Sequence, residues 1–187
     1  YKLSEEATSA VEGVREQVGR FINCETNEVI FAGNTNEAIN LVVFGYVKKY
    51  LNRGDIVVLS EMEHHANIVP WLKLKEDLGI VLHFLKYDKN HPLDFKNLNN
   101  IDKSKIRFVS LTHASNVLGT INPVKEIVEF YKSLNPEIKI LIDAAQSTPH
   151  LRVDFKDLDC DFLAFSSHKM LGPSGLGILI GKYEELE

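Results

Sequence analysis

Residues 161–172 read DFLAFSSHKMLG and place a lysine, Lys169, directly after an apolar run and a Ser-Ser-His triplet. An ammonium drawn out of water loses hydration and tends to shed its proton. A lysine at such a point is therefore either a solvated side chain just past a strand end or an amine with chemical work to do. Asp143 raises the complementary question. It follows IKILI and precedes two alanines, so its carboxylate sits in low dielectric and needs a cation or hydrogen-bond donors. Further polar residues fall at comparable points: Thr35 and Asn36 in AGNTNEAIN, His64 in SEMEHHAN, Asn116 in THASNVLG, Gln146 in DAAQ, and Ser166 and His168 in SSHK itself.

Taken singly, each has a plain structural reading. GNTNEAIN can be a capped helix start, and His64 a hydrogen-bonded structural histidine. GPSGLG (172–177) reads as a turn into a last strand, since it lacks the lysine and spacing of a P-loop. Taken together, these residues ask for one ligand with a phosphate, a cationic ring nitrogen and an aldehyde. Pyridoxal 5′-phosphate carries all three. A lysine forms its Schiff base, a buried aspartate keeps the pyridine nitrogen protonated so that the ring acts as an electron sink, and the free N–H groups of a helix start hold its phosphate. In this reading Lys169 is placed to form an imine.

The elements that must position these residues follow from apolar periodicity. Ala7, Val11, Val14, Val18 and Phe21 recur at three- and four-residue steps behind Ser4, a residue type favoured at N-caps, and predict an amphipathic helix over 5–22. Seven short apolar runs predict strands: EVIF (28–31), IVVL (56–59), IVLHFL (80–85), IRFVSL (106–111), IKILI (138–142), DFLAF (161–165) and LGILI (176–180). Helices are expected between them at 36–51, 66–78, 94–99 and 123–134, the last with Pro123 in its first turn. Such alternation implies right-handed crossovers and a mostly parallel seven-stranded sheet covered on both faces, a three-layer α/β sandwich. SSHKMLGPSG is too short for a helical crossover, so the seventh strand is expected to run antiparallel. Open α/β sheets bind ligands outside the carboxyl ends of their strands, and five of those ends carry the polar residues named above.

Composition bounds the rest. A chain of 187 residues, 44% hydrophobic and 25% charged, can form one domain with a sizeable core. Its net charge of −5 and lack of a basic run argue against nucleic-acid and anionic-membrane partners. No apolar run approaches a bilayer span and YKLSEEATSA is not laid out as a signal peptide, so a soluble, cytoplasmic protein is expected. Cys24 and Cys160 lie too far apart, without CxxC spacing, for a disulfide framework or metal site, and Cys160 reads as a small buried hydrophobe. Adjacent residues diverge on helix and strand alike, which argues against His64 and His65 sharing a metal.

Four longer stretches, MEHHANIVPW (62–71), THASNVLGTINPV (112–124), LIDAAQSTPH (141–150) and LDCDFLAFSSHKMLGPSGLGIL (158–179), closely resemble the group II cysteine desulfurases and selenocysteine lyases. These belong to the class V aminotransferase-like group of fold-type I pyridoxal-phosphate enzymes. The resemblance covers essentially the whole chain. It implies that Lys169 carries the cofactor, His64 stacks on its ring and moves protons, Asp143 pairs with the ring nitrogen and Gln146 bonds the ring oxygen. Asn116 is then near the substrate carboxylate, and Ser166 and His168 hold the phosphate with Thr35 and Asn36. The family's turn usually has two threonines before the glutamate; Asn34-Thr35-Asn36-Glu37 keeps the second backbone N–H and lacks its hydroxyl.

By the same resemblance residues 1–187 are the cofactor-binding large domain, an N-terminal arm and a C-terminal small domain being absent. The small domain bears the persulfide-forming cysteine and a carboxylate-binding arginine, and neither Cys24 nor Cys160 matches that cysteine's motif. The implied activity is conversion of L-cysteine to L-alanine with sulfur left as an enzyme persulfide, in sulfur metabolism such as iron–sulfur cluster assembly. A homodimer and a sulfur-acceptor protein are the implied partners, and the fragment alone is expected to be inactive. The alternatives are a selenocysteine lyase acting on L-selenocysteine, another class V lyase or aminotransferase, and a non-catalytic cofactor-binding module.

Overall fold

The computed structural model describes residues 1–87 and 93–186. Its seven strands are β1 (Val29–Ala32), β2 (Ile56–Ser60), β3 (Val81–Leu85), β4 (Ile106–Thr112), β5 (Lys139–Asp143), β6 (Phe162–Ser166) and β7 (Gly177–Gly181). They form one sheet in the order β1-β7-β6-β5-β4-β2-β3. The pairs from β6 through β5, β4 and β2 to β3 are parallel, and β7 runs antiparallel to both its neighbours, β6 and β1. The expected architecture, with its single reversed strand, is what the chain adopts.

Alternation along the strands builds the three layers. Ile56, Val58, Val109, Ile140, Ile142 and Leu163 face one side, where they pack with Ile22 of α1 (Lys2–Ile22), Val124, Ile127, Val128 and Tyr131 of α4 (Val124–Leu134), and Phe155 of α5 (Phe155–Leu158). Val57, Leu59, Phe108, Leu141 and Phe162 face the other, against α2 (Thr35–Asn40), its continuation to residue 47, and Trp71 and Leu74 of α3 (Val69–Leu78). Trp71 and Phe108 meet with ring centroids 5.0 Å apart. Both faces of β2, β6 and β7 are buried, which is why these strands read as unbroken apolar runs.

Four helical expectations need correction. The first helix starts at Lys2, because Glu5 N–H already bonds to Tyr1 O; Ser4 lies inside the first turn and Tyr1 is the cap, without a side-chain bond. The segment 36–51 is not one α-helix. It is α2, then a π-helical stretch Leu41–Tyr46, then a 3-10 turn Val47–Lys49, a change of hydrogen-bond register that apolar spacing does not encode. Residues 94–99 form turns: Leu93, Phe95 and Leu98 are buried, while Asn97 bonds the amide of Asn99 and Asn100 adopts φ 66°. Short polar side chains there compete with helical bonding. Pro123 caps α4 from outside its first turn. Two short helices went unforeseen, α5 and α6 (Tyr183–Leu186).

Candidate active site

The carboxyl end of β1 turns through Gly33 into Asn34, whose side chain accepts the Glu37 N–H at 2.9 Å while Glu37 accepts the Gly33 N–H. This reciprocal cap fixes the start of α2 and leaves its first N–H groups, at Thr35 and Asn36, without intrahelical acceptors. Thr35 is buried, and among the described residues its hydroxyl has no partner. The turn is held against β7 at unusually close range: a Cβ on Gly177 would lie 2.3 Å from the Asn34 carbonyl carbon.

Beyond β2 the chain makes a short 3-10 turn capped by His64, whose Nδ1 accepts the Ala66 N–H at 3.1 Å. That bond leaves Nε2 as the donor of the neutral ring. Beyond β4, Ser115 Oγ accepts the N–H groups of Val117 and Leu118, and an Ala114–Ile121 bridge closes the loop that exposes Asn116. Asp143 ends β5 in register with Thr112. It is 4% exposed and its Oδ1 accepts the Ala145 N–H at 3.0 Å. Burial pushes its carboxyl above the usual carboxylate range, against the pull of that N–H and of the nearby Lys169 ammonium.

Past β6, Ser166 is buried and leads into a 3-10 turn, Ser167–Met170. Ser167 Oγ donates to the carbonyls of Pro173 and Leu176, and Gly172 N–H returns to Ser167 O at 2.9 Å. Leu171 closes the turn at φ 63°, a left-handed conformation that a branched side chain seldom takes. His168 and Lys169 thereby project from a pinned turn. Lys169 is exposed rather than desolvated, so its amine is open to whatever enters, and among the described residues it forms no ion pair.

All nine residues singled out in the sequence, Thr35, Asn36, His64, Asn116, Asp143, Gln146, Ser166, His168 and Lys169, line one cleft of about 270 Å³. Asn34, Ala66, Thr112, Ala114 and Ala145 complete its wall. Sequence reasoning missed Glu63, which lies buried beneath the cleft beside His64. The successive four-residue steps from Glu63 to Asn67 and from Asn67 to Trp71 were the available signal. Among the described residues no three histidine, cysteine or acidic side chains lie together as a metal site, and no helix is long and apolar enough to cross a membrane.

The cysteines stand apart. Cys160 is fully buried at the amino end of β6, the end of the sheet opposite Lys169, and burial raises its thiol above the usual range. Cys24 is half-buried, its thiol pushed up to about 12 by burial and by Glu28 and Glu25.

The sequence profile of the family described as Aminotransferase class-V matches residues 1–187, the whole chain. The chain belongs to this family. Among its class-V relatives, a cysteine desulfurase of Pectobacterium carotovorum is 45% identical over 188 aligned residues, covering 100% of this chain and 46% of the relative. A probable cysteine desulfurase of Halalkalibacterium halodurans is 44% identical over 97% of this chain and 44% of its own length. The apo structure of a cysteine desulfurase from Thermococcus onnurineus superposes with a TM-score of 0.91 at 36% identity, covering 98% of this chain and 45% of that one. The chain thus spans a little under half the length of the relatives it matches.

Proposed function

We propose that the protein carrying this chain is a pyridoxal-phosphate-dependent cysteine desulfurase that converts L-cysteine to L-alanine and an enzyme-bound persulfide, and that residues 1–187 are its cofactor-binding large domain. One observation carries the reading. An exposed lysine amine, a buried aspartate and a helix start with an unsatisfied threonine hydroxyl converge on a single cleft from β6, β5 and β1. The residues fit the cofactor. Thr35 Oγ1 lacks a partner that a phosphate oxygen supplies, Asp143 keeps one carboxylate oxygen free for a ring N–H, and Gly177 leaves no side chain between β7 and the phosphate turn.

The bound cofactor supplies an electron sink for negative charge at the substrate Cα. This chain's residues do the rest. Lys169 offers the amine that holds the aldehyde, and Asp143 keeps the ring-nitrogen proton in place. Thr35, Asn36, Ser166 and His168 bind the phosphate, Gln146 bonds the ring oxygen, and Asn116 faces the substrate carboxylate. His64 borders the cleft where the ring would sit, with Nε2 available to move a proton. Neither cysteine here is a thiolate at neutral pH, so the attacking thiol and the carboxylate-binding cation are assigned to the remainder of the longer protein. The homodimer, sulfur-acceptor partner and cytoplasmic location belong to the same proposal, with L-selenocysteine as the competing substrate.

Reduction with borohydride after loading with pyridoxal 5′-phosphate, followed by peptide mapping, should place the adduct on Lys169. Labelling elsewhere, or none in folded protein, refutes the cofactor assignment. Alanine release by the intact protein from cysteine against selenocysteine decides the substrate.

A further inference from the structure

Beneath the cleft lies a chain of buried polar groups to which the reading above gives no part. Glu63 Oε1 accepts the Thr112 N–H at 3.0 Å and the Ser60 hydroxyl; Oε2 accepts Asn67 Nδ2 at 2.7 Å. Asn67 Oδ1 in turn accepts the Trp71 indole N–H at 3.2 Å and the Ser110 hydroxyl at 2.6 Å. Ser60, Asn67, Trp71 and Ser110 are fully buried, and Glu63 is 8% exposed.

The polarity of this relay is dictated at both ends. A backbone N–H and an indole N–H can only donate. Trp71 therefore fixes Asn67 Oδ1 toward itself, which turns Asn67 Nδ2 toward Glu63; Thr112 claims the other carboxylate oxygen. Glu63 accepts at both oxygens, which favours the carboxylate, while burial favours the acid. Burial dominates and lifts the carboxyl to about 7, the three donors pull it down, and the charge of Asp143 adds a smaller upward push. Among the described residues the elements packed around it place no cation against it. β2 presents Ser60, β4 presents Thr112 and Ser110 with buried His113 next in line, α3 presents Trp71, and β5 presents Asp143. On its own turn, Glu61 bonds Tyr87 N–H and His64 faces the cleft.

We propose that Glu63 is a positioning residue required as a carboxylate: it ties the turn bearing His64 to the end of β4, and it sets a second negative charge behind Asp143 that strengthens binding of a cationic ring nitrogen in the cleft. The second half rests on the cofactor proposed above; the first does not. Replacing Glu63 by glutamine preserves shape and breaks polarity, because one amide N–H must face either Thr112 N–H or Asn67 Nδ2. Adding Asn67→Asp repairs it. The amide introduced at position 63 then accepts from Thr112 N–H and donates to the carboxylate introduced at position 67, which accepts from Trp71 and Ser110. Each bond of the parent relay then has a donor facing an acceptor again, with the charge moved one link along it.

The test uses the intact protein as parent, Glu63→Gln, and Glu63→Gln with Asn67→Asp. Amide hydrogen exchange at Thr112 and Ala66 in the cofactor-free proteins should be at least ~10-fold faster in the single variant and return to parental rates in the double variant. Failure of the double variant to restore protection overturns the relay. Dissociation constants for pyridoxal 5′-phosphate, read by absorbance from pH 6 to 8.5, should match between parent and double variant at pH 6 and diverge to about 3- to 10-fold weaker binding in the double variant at pH 8.5. A merely structural Glu63 gives parental affinity at every pH once the relay is repaired, and that result overturns the charge role. Because the comparison is a ratio, it is distinct from failure of the parent to take up the cofactor. That failure refutes the function proposed above and, with it, the charge role; exchange still decides the positioning role.

Discussion

Gly177→Ala tests the proposed phosphate turn with almost no chemistry. A Cβ at this position lies 2.3 Å from the Asn34 carbonyl carbon, 2.4 Å from its oxygen and 2.6 Å from its Cα, whereas nonbonded carbons settle at about 3.5–4.0 Å. The two backbones must part by roughly 1 Å. Neither can do so freely, because Gly177 is paired with Ala32 on one side and Ser166 on the other, and the reciprocal Asn34–Glu37 cap holds the turn. Overpacking of this kind costs about 1–3 kcal/mol. Backbone meeting backbone places it near the top of that range, a fall in Tm of about 5–10 °C for a chain of this size. The same shift carries Thr35 and Asn36 away from Ser166 and His168, and pyridoxal-phosphate affinity should drop ~10-fold or more. Differential scanning calorimetry and absorbance titration check the two arms. Gly13→Ala is the control: a Cβ there meets nothing within 4 Å, and a helical Gly→Ala change should stabilise by about 0.5–1 kcal/mol. A Gly177→Ala protein with parental Tm and affinity refutes the close-approach reasoning.

Three further outcomes follow. Asp143→Asn should still accept the cofactor on Lys169 while slowing alanine release by the intact enzyme ~10²-fold or more, measured as kcat, since the ring nitrogen loses its anionic partner. Lys132→Met should destabilise by about 3 kcal/mol at pH 8, because Asp161, 2% exposed, loses both of its Lys132 bonds (2.8 and 2.9 Å) and among the described residues keeps the Ile140 N–H alone; denaturant melts should show the loss shrinking as pH falls and Asp161, whose carboxyl burial already raises, takes a proton. Glu63 binds its proton more tightly folded than unfolded, so stability of the cofactor-free protein is greatest below pH 4.5 on its account and falls by about 3 kcal/mol as pH rises to 7, flat thereafter. Urea titrations of parent against Glu63→Gln should show this slope only in the parent.

The strands are legible in the sequence because burial on both faces makes their residues continuous apolar runs, and the polar residues after them mark one edge of the sheet. The runs nevertheless place most strands one residue too early. Ser60, Thr112, Asp143 and Ser166 fall outside the apolar runs, yet they remain in the ladder, since a polar residue facing a cleft keeps its backbone pairing. Lys169 follows an apolar run and is still exposed; apolar neighbours in sequence do not decide where a four-carbon stem leads. Glu63 escapes a reading of the sequence because its meaning depends on Thr112 N–H and Ser110, which only the packing of β4 against β2 brings near. The π-helical stretch after α2 is hidden for a related reason, as LVVFGY reads helical whichever carbonyl each amide selects.

The placement of β7 governs the order in which this molecule can assemble. Val29 pairs with Ile180 and Ala32 with Gly177, while β2 to β6 pair among themselves. A ribosome therefore releases β1 and the turn after it long before β7, the one sheet partner of β1 among the described residues, exists. The parallel strands can associate during synthesis, but the first strand must wait, tethered by a loop of roughly 150 residues whose closure entropy grows only as the logarithm of its length. The slow step is long-range docking rather than local helix formation. Until it happens, one edge of β6 stands open to pairing with another chain. Folding of the nascent chain should thus yield a sheet without the proposed phosphate site first, and ligand competence last.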